Sequence, residues 1–212
     1  MIVTRNAALF RGKRVLDLAS HDGRWSWAAL NAGATHVTGV EGRNELVDKS
    51  HSNFEQLSLR RNCYEFICAD VFDFLTNAAG KAQKWDTVLC LGLFYHVMDH
   101  YRLLKLMTDT TSDGLIMDTG LVDSSKPFIR LINEDNENYL HALPSLKGQQ
   151  VEVVGYPSRA ALQMMANSLG WNIEFLKWRK RDFTDLSCLD DYFDRGWNRF
   201  RRFTAILVQQ SP

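Results

Sequence analysis

The sequence predicts an α/β fold, a mostly parallel sheet with crossover helices, and two recurring features predict it. Short apolar runs carry or are closed by an acid: Val15–Leu18 holds Asp17, His36–Val40 leads into Glu41, and Tyr64–Ala69 leads into Asp70. Segments with helical apolar spacing stand between these runs, and strands alternating with helices give a parallel sheet with helices on its faces. A third feature places a site. Between the first run and the first helix lies a turn of small and polar residues, Ala19-Ser20-His21-Asp22-Gly23. Open α/β sheets bind ligands outside the carboxyl ends of their strands, where such a turn sits.

The elements follow in order. Residues 1–13 are too few for a separate substrate-binding module. The first helix is predicted from Arg24 to about Ala32, closed by Gly33 as a left-handed cap. A second starts near Asn44 and places Leu46, Val47, Phe54 and Leu57 on one face. The third strand, Tyr64–Ala69, ends at Asp70 and is followed by Val71-Phe72-Asp73-Phe74. Thr87–Leu91 is the fourth strand, introduced by Trp85-Asp86. A third long helix begins at about Asp99, a plausible cap, and turns Leu103, Leu104 and Met107 inward. Gly114 introduces the fifth strand, Leu115–Asp118.

The alternation then stops. Residues 120–156 read as polar and irregular, with the run Asn133-Glu134-Asp135-Asn136-Glu137-Asn138 and prolines at Pro127 and Pro144, and Pro157 just beyond. A connection of that length inside a domain is commonly a lid or a substrate-binding insert. Order returns at Ser158, which caps a helix carrying Ala161, Leu162, Met165, Ala166 and Leu169 on one face and ending at Gly170. Strands six (Trp171 to about Trp178) and seven (Phe203–Val208) complete the chain, joined by a link without a helical pattern. No internal repeat is present.

Composition narrows the function classes. A chain of 212 residues supports one sizeable core, so residues 1–212 are expected to form a single domain. Hydrophobic residues at 45% and charged residues at 24% describe an ordinary soluble globular protein, not a disordered one. A formal net charge of zero gives no overall attraction to nucleic acid or an anionic membrane. Cys63, Cys68, Cys90 and Cys188 show no C-x-x-C pair and read as buried, reduced thiols. No apolar stretch approaches a membrane span and residues 1–14 lack a signal-peptide core, so a cytoplasmic location is expected.

The first turn and Glu41 together point to a nucleotide or nucleoside. Small residues let the backbone approach a ligand, and Gly23 can adopt a positive φ. Glu41, about twenty residues beyond the turn, is placed to accept hydrogen bonds from a ribose. The G-x-G-x-x-G fingerprint is absent, which ranks a nicotinamide-dependent dehydrogenase well below other readings.

Seven strands, acids at the ends of the first three, and the motifs just quoted resemble the class I S-adenosylmethionine-dependent methyltransferases over nearly the whole chain, Gly12 to Gln209. The resemblance implies a Rossmann-like, seven-stranded sheet whose last strand is antiparallel. It implies S-adenosylmethionine as cofactor and S-adenosylhomocysteine as product. Val15–Gly23 matches the glycine-rich first motif, so Asp17 and Leu18 would serve the amino-acid end of the cofactor, with Ala19, Ser20 and Gly23 against its methionine portion. Ala19 and Ser20 stand where that family often has glycine. Glu41 would take the ribose diol, Asp70 and Val71 the adenine, and the backbone of Leu91 the cofactor's amino group. Leu91-Gly92-Leu93-Phe94-Tyr95-His96 also resembles the branch containing the tRNA wobble-uridine carboxymethyltransferase and many small-molecule enzymes.

For the acceptor, His96 is the candidate general base with Tyr95 beside it, and no carboxylate partner is identifiable from sequence. His96 also fits a purely structural histidine beside the insert. His21 is left unassigned, and His141 reads as a surface residue. No Asn/Asp-Pro-Pro-aromatic sequence follows strand four, no Pro-Cys nucleophile pair exists, and no metal-ligand spacing is found. Lys177, Arg179, Lys180, Arg181, Arg195, Arg199, Arg201 and Arg202 alternate with Trp178, Phe183, Trp197, Phe200 and Phe203, a pattern that can hold single-stranded RNA. Interleaved Asp182, Asp185, Asp190, Asp191 and Asp194 cancel much of that field. The expected function is methyl transfer to O or N of a small molecule. The alternatives are an RNA-modifying transferase of the same fold and a non-catalytic cofactor-binding partner protein.

Overall fold

The computed structural model describes residues 2–135, 141–144, 148–185, 189–193 and 200–210. Asn136, Glu137, Asn138, Cys188, Asp194, Arg195, Trp197 and Arg199, named above, lie outside them. In chain order the elements are α1 (Ile2–Arg5), β1 (Arg14–Leu18), α2 (Arg24–Asn31), β2 (His36–Glu41), α3 (Asn44–Gln56), β3 (Tyr64–Cys68), α4 (Val71–Gly80), β4 (Trp85–Leu91) and α5 (His100–Asp109). Then follow β5 (Thr111–Val122), β6 (Ile129–Asp135), β7 (Val151–Pro157), α6 (Arg159–Ser168), β8 (Trp171–Phe175), α7 (Asp190–Phe193) and β9 (Phe200–Gln209). Seven strands form one sheet in the order β3-β2-β1-β4-β5-β9-β8, and β6 and β7 pair separately. The β1–β2, β1–β4 and β2–β3 pairs are parallel, and β9 runs antiparallel to β8. This is the Rossmann-like sheet expected.

The chain divides into two compact units. The first comprises residues 1–91 and 103–116. Its sheet core is Val15, Leu16, Leu18, Val37, Val40, Val88 and Leu89, each fully buried, as near-continuous apolar runs in a parallel sheet require. Phe54 from α3 meets Tyr64 and Phe66 from β3 edge-on, with ring centroids 4.7 and 4.8 Å away. Burying such rings contributes roughly 1.5–3 kcal/mol each, which fixes α3 on the sheet.

The second unit comprises residues 92–102 and 117–212. Its β6–β7 ladder runs from Ile129 opposite Pro157 to Asp135 opposite Val151. Ser158 joins that ladder to α6. Its Oγ accepts from Ala161 N at 3.1 Å, the expected cap, accepts from Phe128 N at 3.2 Å, and donates to Lys126 O at 2.7 Å. Gly155 N donates to Val97 O at 3.1 Å and ties the ladder to the segment after β4.

Several expectations are corrected. Residues 120–156 are not irregular throughout: β5 continues to Val122, with Gly114 inside it, and the insert holds the β6–β7 hairpin. Leu131, Val151 and Val153 on that hairpin are exposed, and its apolar alternation is short, Ile129-Arg130-Leu131 and Val151-Glu152-Val153. Residues 71–80 form a helix, started by Asp70 at the cap position. The link between β8 and β9 contains the short helix α7, and β8 ends at Phe175 rather than Trp178. Leu57 is 49% exposed because α3 ends one residue earlier. Of the described cysteines only Cys90 is buried; Cys68, at the end of β3, is exposed and Cys63 half-buried.

Candidate active site

In the first unit β1 ends in a turn whose backbone is left-handed at alternate residues: φ is 53° at Ala19, 53° at His21 and 81° at Gly23. A side chain in this region costs about 1–2 kcal/mol, so the positions that call for glycine are 19, 21 and 23 rather than 19 and 20. Gly23 is required twice over. A Cβ there would lie 2.9 Å from the Phe54 ring and 3.0 Å from that of Phe66.

Hydrogen bonds from α3 and β2 hold the turn. Ser20 N donates to Val40 O at 3.0 Å, Ser50 Oγ to His21 O at 2.9 Å, and Asn53 Nδ2 to Asp22 O at 2.9 Å. Glu41, 6% exposed, accepts from His21 N through Oε2 and from Arg43 N through Oε1, each at 3.0 Å. Each oxygen of an ionised carboxylate offers two acceptor sites, so both retain one for a ligand. The Ser20 hydroxyl is buried without a hydrogen bond among the described residues. Buried polar groups are normally paired, which makes this donor available to a bound group. Arg24 clamps Asp22 through two 2.8 Å bonds, and that hydrogen bonding, against some burial, holds the Asp22 carboxyl well below the usual range.

Asp17 stands one residue before the end of β1, 1% exposed, and accepts from Ser26 Oγ at 2.6 Å. Desolvation raises its pKa to about 7, opposed by the side-chain and backbone hydrogen bonds of Ser26. Leu18 is wholly buried, backbone included, and Leu91 is 8% exposed. Asp70 is exposed and caps α4, its Oδ1 accepting from Phe72 N at 2.8 Å and Asp73 N at 3.0 Å; Val71 is the first helical residue and half-buried. The first turn thus gathers Asp17, Ala19, Ser20, Gly23 and Glu41. Asp70 follows β3 and Leu91 ends β4, two strands that β2 and β1 separate in the sheet.

In the second unit His96 meets a carboxylate that sequence did not reveal. Glu134, on β6, brings Oε2 to 2.7 Å from His96 Nδ1, and Ala142 N donates to the same oxygen at 3.1 Å. The side chains are 12% and 8% exposed. Burial pulls the Glu134 carboxyl upward, but the hydrogen bond and charge of His96 outweigh it and leave the group below its ordinary value. The Tyr95 ring lies 4.1 Å from that of His96 and 5.2 Å from that of Tyr156. Burial raises the pKa of the Tyr95, Tyr156 and Tyr192 phenols, so all three stay protonated near neutrality. His141 belongs beside this cluster, its ring 6.3 Å from that of His96 and its Nδ1 2.8 Å from Asp135 O.

Asp118 on β5 is a second buried carboxylate that sequence reading left without a role. It is 1% exposed, pairs with the Arg202 guanidinium, and accepts from Thr204 Oγ1 and from Tyr192 OH, the latter at 2.8 Å.

Residues 15–114 match a family model described as a methyltransferase domain. The fold agrees. An S-adenosylmethionine-dependent methyltransferase from Mesorhizobium loti superposes with a TM-score of 0.66 at 13% identity, over 99% of this chain and 98% of that one. Residues 15–114 thus carry a methyltransferase-domain signature on the fold of these enzymes. The N-terminal domain of EvdMO1, solved in the presence of S-adenosylhomocysteine and D-fucose, superposes with a TM-score of 0.72 at 22% identity, covering 99% of this chain and 81% of that one. In sequence, this chain is 31% identical over 133 residues to the ubiquinone biosynthesis O-methyltransferase of Coxiella burnetii, 63% of this chain and 49% of that protein. It is 28% identical over 212 residues to the tRNA U34 carboxymethyltransferase of Pseudomonas aeruginosa, 94% of this chain and 56% of that protein. The chain therefore spans about half the length of these curated relatives.

Proposed function

We propose that this chain is an S-adenosylmethionine-dependent methyltransferase acting on an oxygen or nitrogen of a small molecule. The observation that carries the cofactor half is Glu41, buried beside the first turn, fixed by two backbone amides and keeping an acceptor site on each oxygen. That carboxylate takes the ribose diol. The Asp70 oxygen not used in capping takes the adenine amino group, with Val71 against the ring. Backbone at Ala19, Ser20, Gly23 and Leu91 borders the amino-acid portion. Asp17 is buried, so it acts by holding the start of α2 through Ser26 rather than by touching the ligand. When bound, the cofactor supplies an electrophilic methyl group on a sulfonium. Alignment of two reactants can provide much of the acceleration in such a displacement. His96, with Tyr95 packed on it, is the residue proposed to receive the acceptor's proton, and the hairpin insert shapes the acceptor pocket.

A small acceptor is favoured over RNA by how the arginines are used. Arg202 is neutralised by Asp118, while Arg201 and Arg159 lie 3.7 and 3.8 Å from Asp123. Guanidinium groups occupied this way do not assemble a phosphate-binding strip. The tRNA reading is supported by the Pseudomonas relative, which aligns with 94% of the chain. Among the described residues no helix is long and apolar enough to cross a membrane, and the reaction is proposed to occur in the cytoplasm.

One experiment separates these readings. The chain is incubated with methyl-labelled S-adenosylmethionine and either a small-molecule cell extract or bulk tRNA. Label entering the small-molecule fraction supports the proposal. Label entering tRNA, with activity falling steeply as salt rises, overturns the choice of acceptor.

A further inference from the structure

We propose that Glu134 is the positioning residue of this site: it fixes His96 with the proton on Nδ1 and leaves Nε2 as the basic nitrogen that takes the acceptor's proton. This rests on the methyltransferase reading above.

The hydrogen-bond inventory dictates the tautomer. Glu134 Oε2 receives two contacts, from Ala142 N and from His96 Nδ1. The first is an amide and donates without alternative, which marks Oε2 as an acceptor. An ionised carboxylate accepts only, so Nδ1 must carry a hydrogen. A neutral imidazole has one N–H, and placing it on Nδ1 leaves the lone pair on Nε2. Among the described residues Nε2 makes no hydrogen bond. In free histidine the other tautomer is slightly preferred, so the geometry selects against the intrinsic tendency. Carboxylates that orient a catalytic imidazole in this way also stabilise the imidazolium that forms during reaction.

Atoms and charge balance in the step. The acceptor oxygen or nitrogen bonds to the methyl carbon as the carbon–sulfur bond breaks and its electron pair stays on sulfur. The acceptor's proton moves to His96 Nε2, and Glu134 faces the resulting cation. Glu134 sits on β6, so the base is held by the hairpin insert, while His96 itself follows β4. The insert therefore sets the state of the base.

The test does not need the acceptor. The full chain is labelled with ring-¹⁵N histidine and its long-range proton–nitrogen spectra are recorded near neutral pH, the His96 signals being assigned by their loss in His96→Gln. The expected wild-type pattern is a protonated Nδ1 and a lone-pair Nε2 in the neutral form. Glu134→Ala should convert His96 to the Nε2–H tautomer. Glu134→Gln, whose amide oxygen still accepts, should keep Nδ1–H. A wild-type Nε2–H tautomer, or a Glu134→Ala spectrum unchanged at His96, overturns the proposal. If Glu134→Ala does not fold, the wild-type and Glu134→Gln spectra still decide it. Calorimetry with S-adenosylhomocysteine on the wild-type chain tests the underlying reading separately: absence of binding removes that reading while leaving the tautomer result to stand on its own.

Discussion

Ser26 Oγ donates to Asp17 Oδ2 at 2.6 Å, with both side chains sealed from solvent. β1 and α2 are thereby joined by one buried acid whose pKa rises to about 7. The sign of the linkage follows. An acid titrating higher in the native state than in the unfolded chain costs stability as it ionises, so its favourable contribution is complete below about pH 4 and lost as pH rises through about 7. Asp17→Asn should flatten this dependence. Urea midpoints from pH 4 to 8 check it, and parallel pH profiles for wild type and variant would remove Asp17 as the buried titrating group.

Ser26→Ala removes a donor to that acid. A hydrogen bond to a charged group is worth about 1.5–3 kcal/mol, and the loss should be larger at pH 8, where Asp17 is ionised, than at pH 5. Denaturant unfolding at the two pH values measures it. An equal loss at both contradicts the assignment.

The turn carries two side chains in left-handed backbone. Ala19→Gly should stabilise the protein by about 0.5–1 kcal/mol, the relief of strain exceeding the entropy added to the unfolded chain. Gly23→Ala should destabilise by about 1–3 kcal/mol, since its Cβ also meets Phe54 and Phe66. Thermal unfolding of both variants checks the opposite signs.

Once label transfer has identified an acceptor, His96→Ala should lower the chemical step by about 10²–10⁴-fold and leave S-adenosylhomocysteine affinity unchanged. Single-turnover measurement is required, because product release can mask the chemistry. A variant with wild-type turnover makes His96 structural.

Much of this was legible because local pattern and tertiary role coincide in a parallel sheet. The strands that hold Asp17 and Glu41 and the one that leads into Asp70 are short apolar runs, and the cap at Ser158 and the left-handed Gly33 were readable from neighbouring residues alone. The hairpin was not, because its alternation is short, Ile129-Arg130-Leu131 and Val151-Glu152-Val153, and a long polar run separates the two. Glu134 sat in a run of acids and asparagines that reads as solvated loop, and only pairing with β7 reveals that its side chain turns inward. Its partner is thirty-eight residues away in sequence. Asp118 and Arg202 are eighty-four apart and meet only through the sheet order. Ser50 and Asn53 are polar residues on a helix whose inward face was judged by apolar spacing, so their bonds to the turn carbonyls went unread.

If the first turn and Glu41 form a cofactor site, calorimetric titration with S-adenosylhomocysteine reads it. The wild-type chain should bind at one site. Glu41→Ala should bind more weakly, by up to about 1.5–3 kcal/mol for each ribose hydrogen bond lost. No binding by the wild type, or equal affinity in the variant, would contradict it.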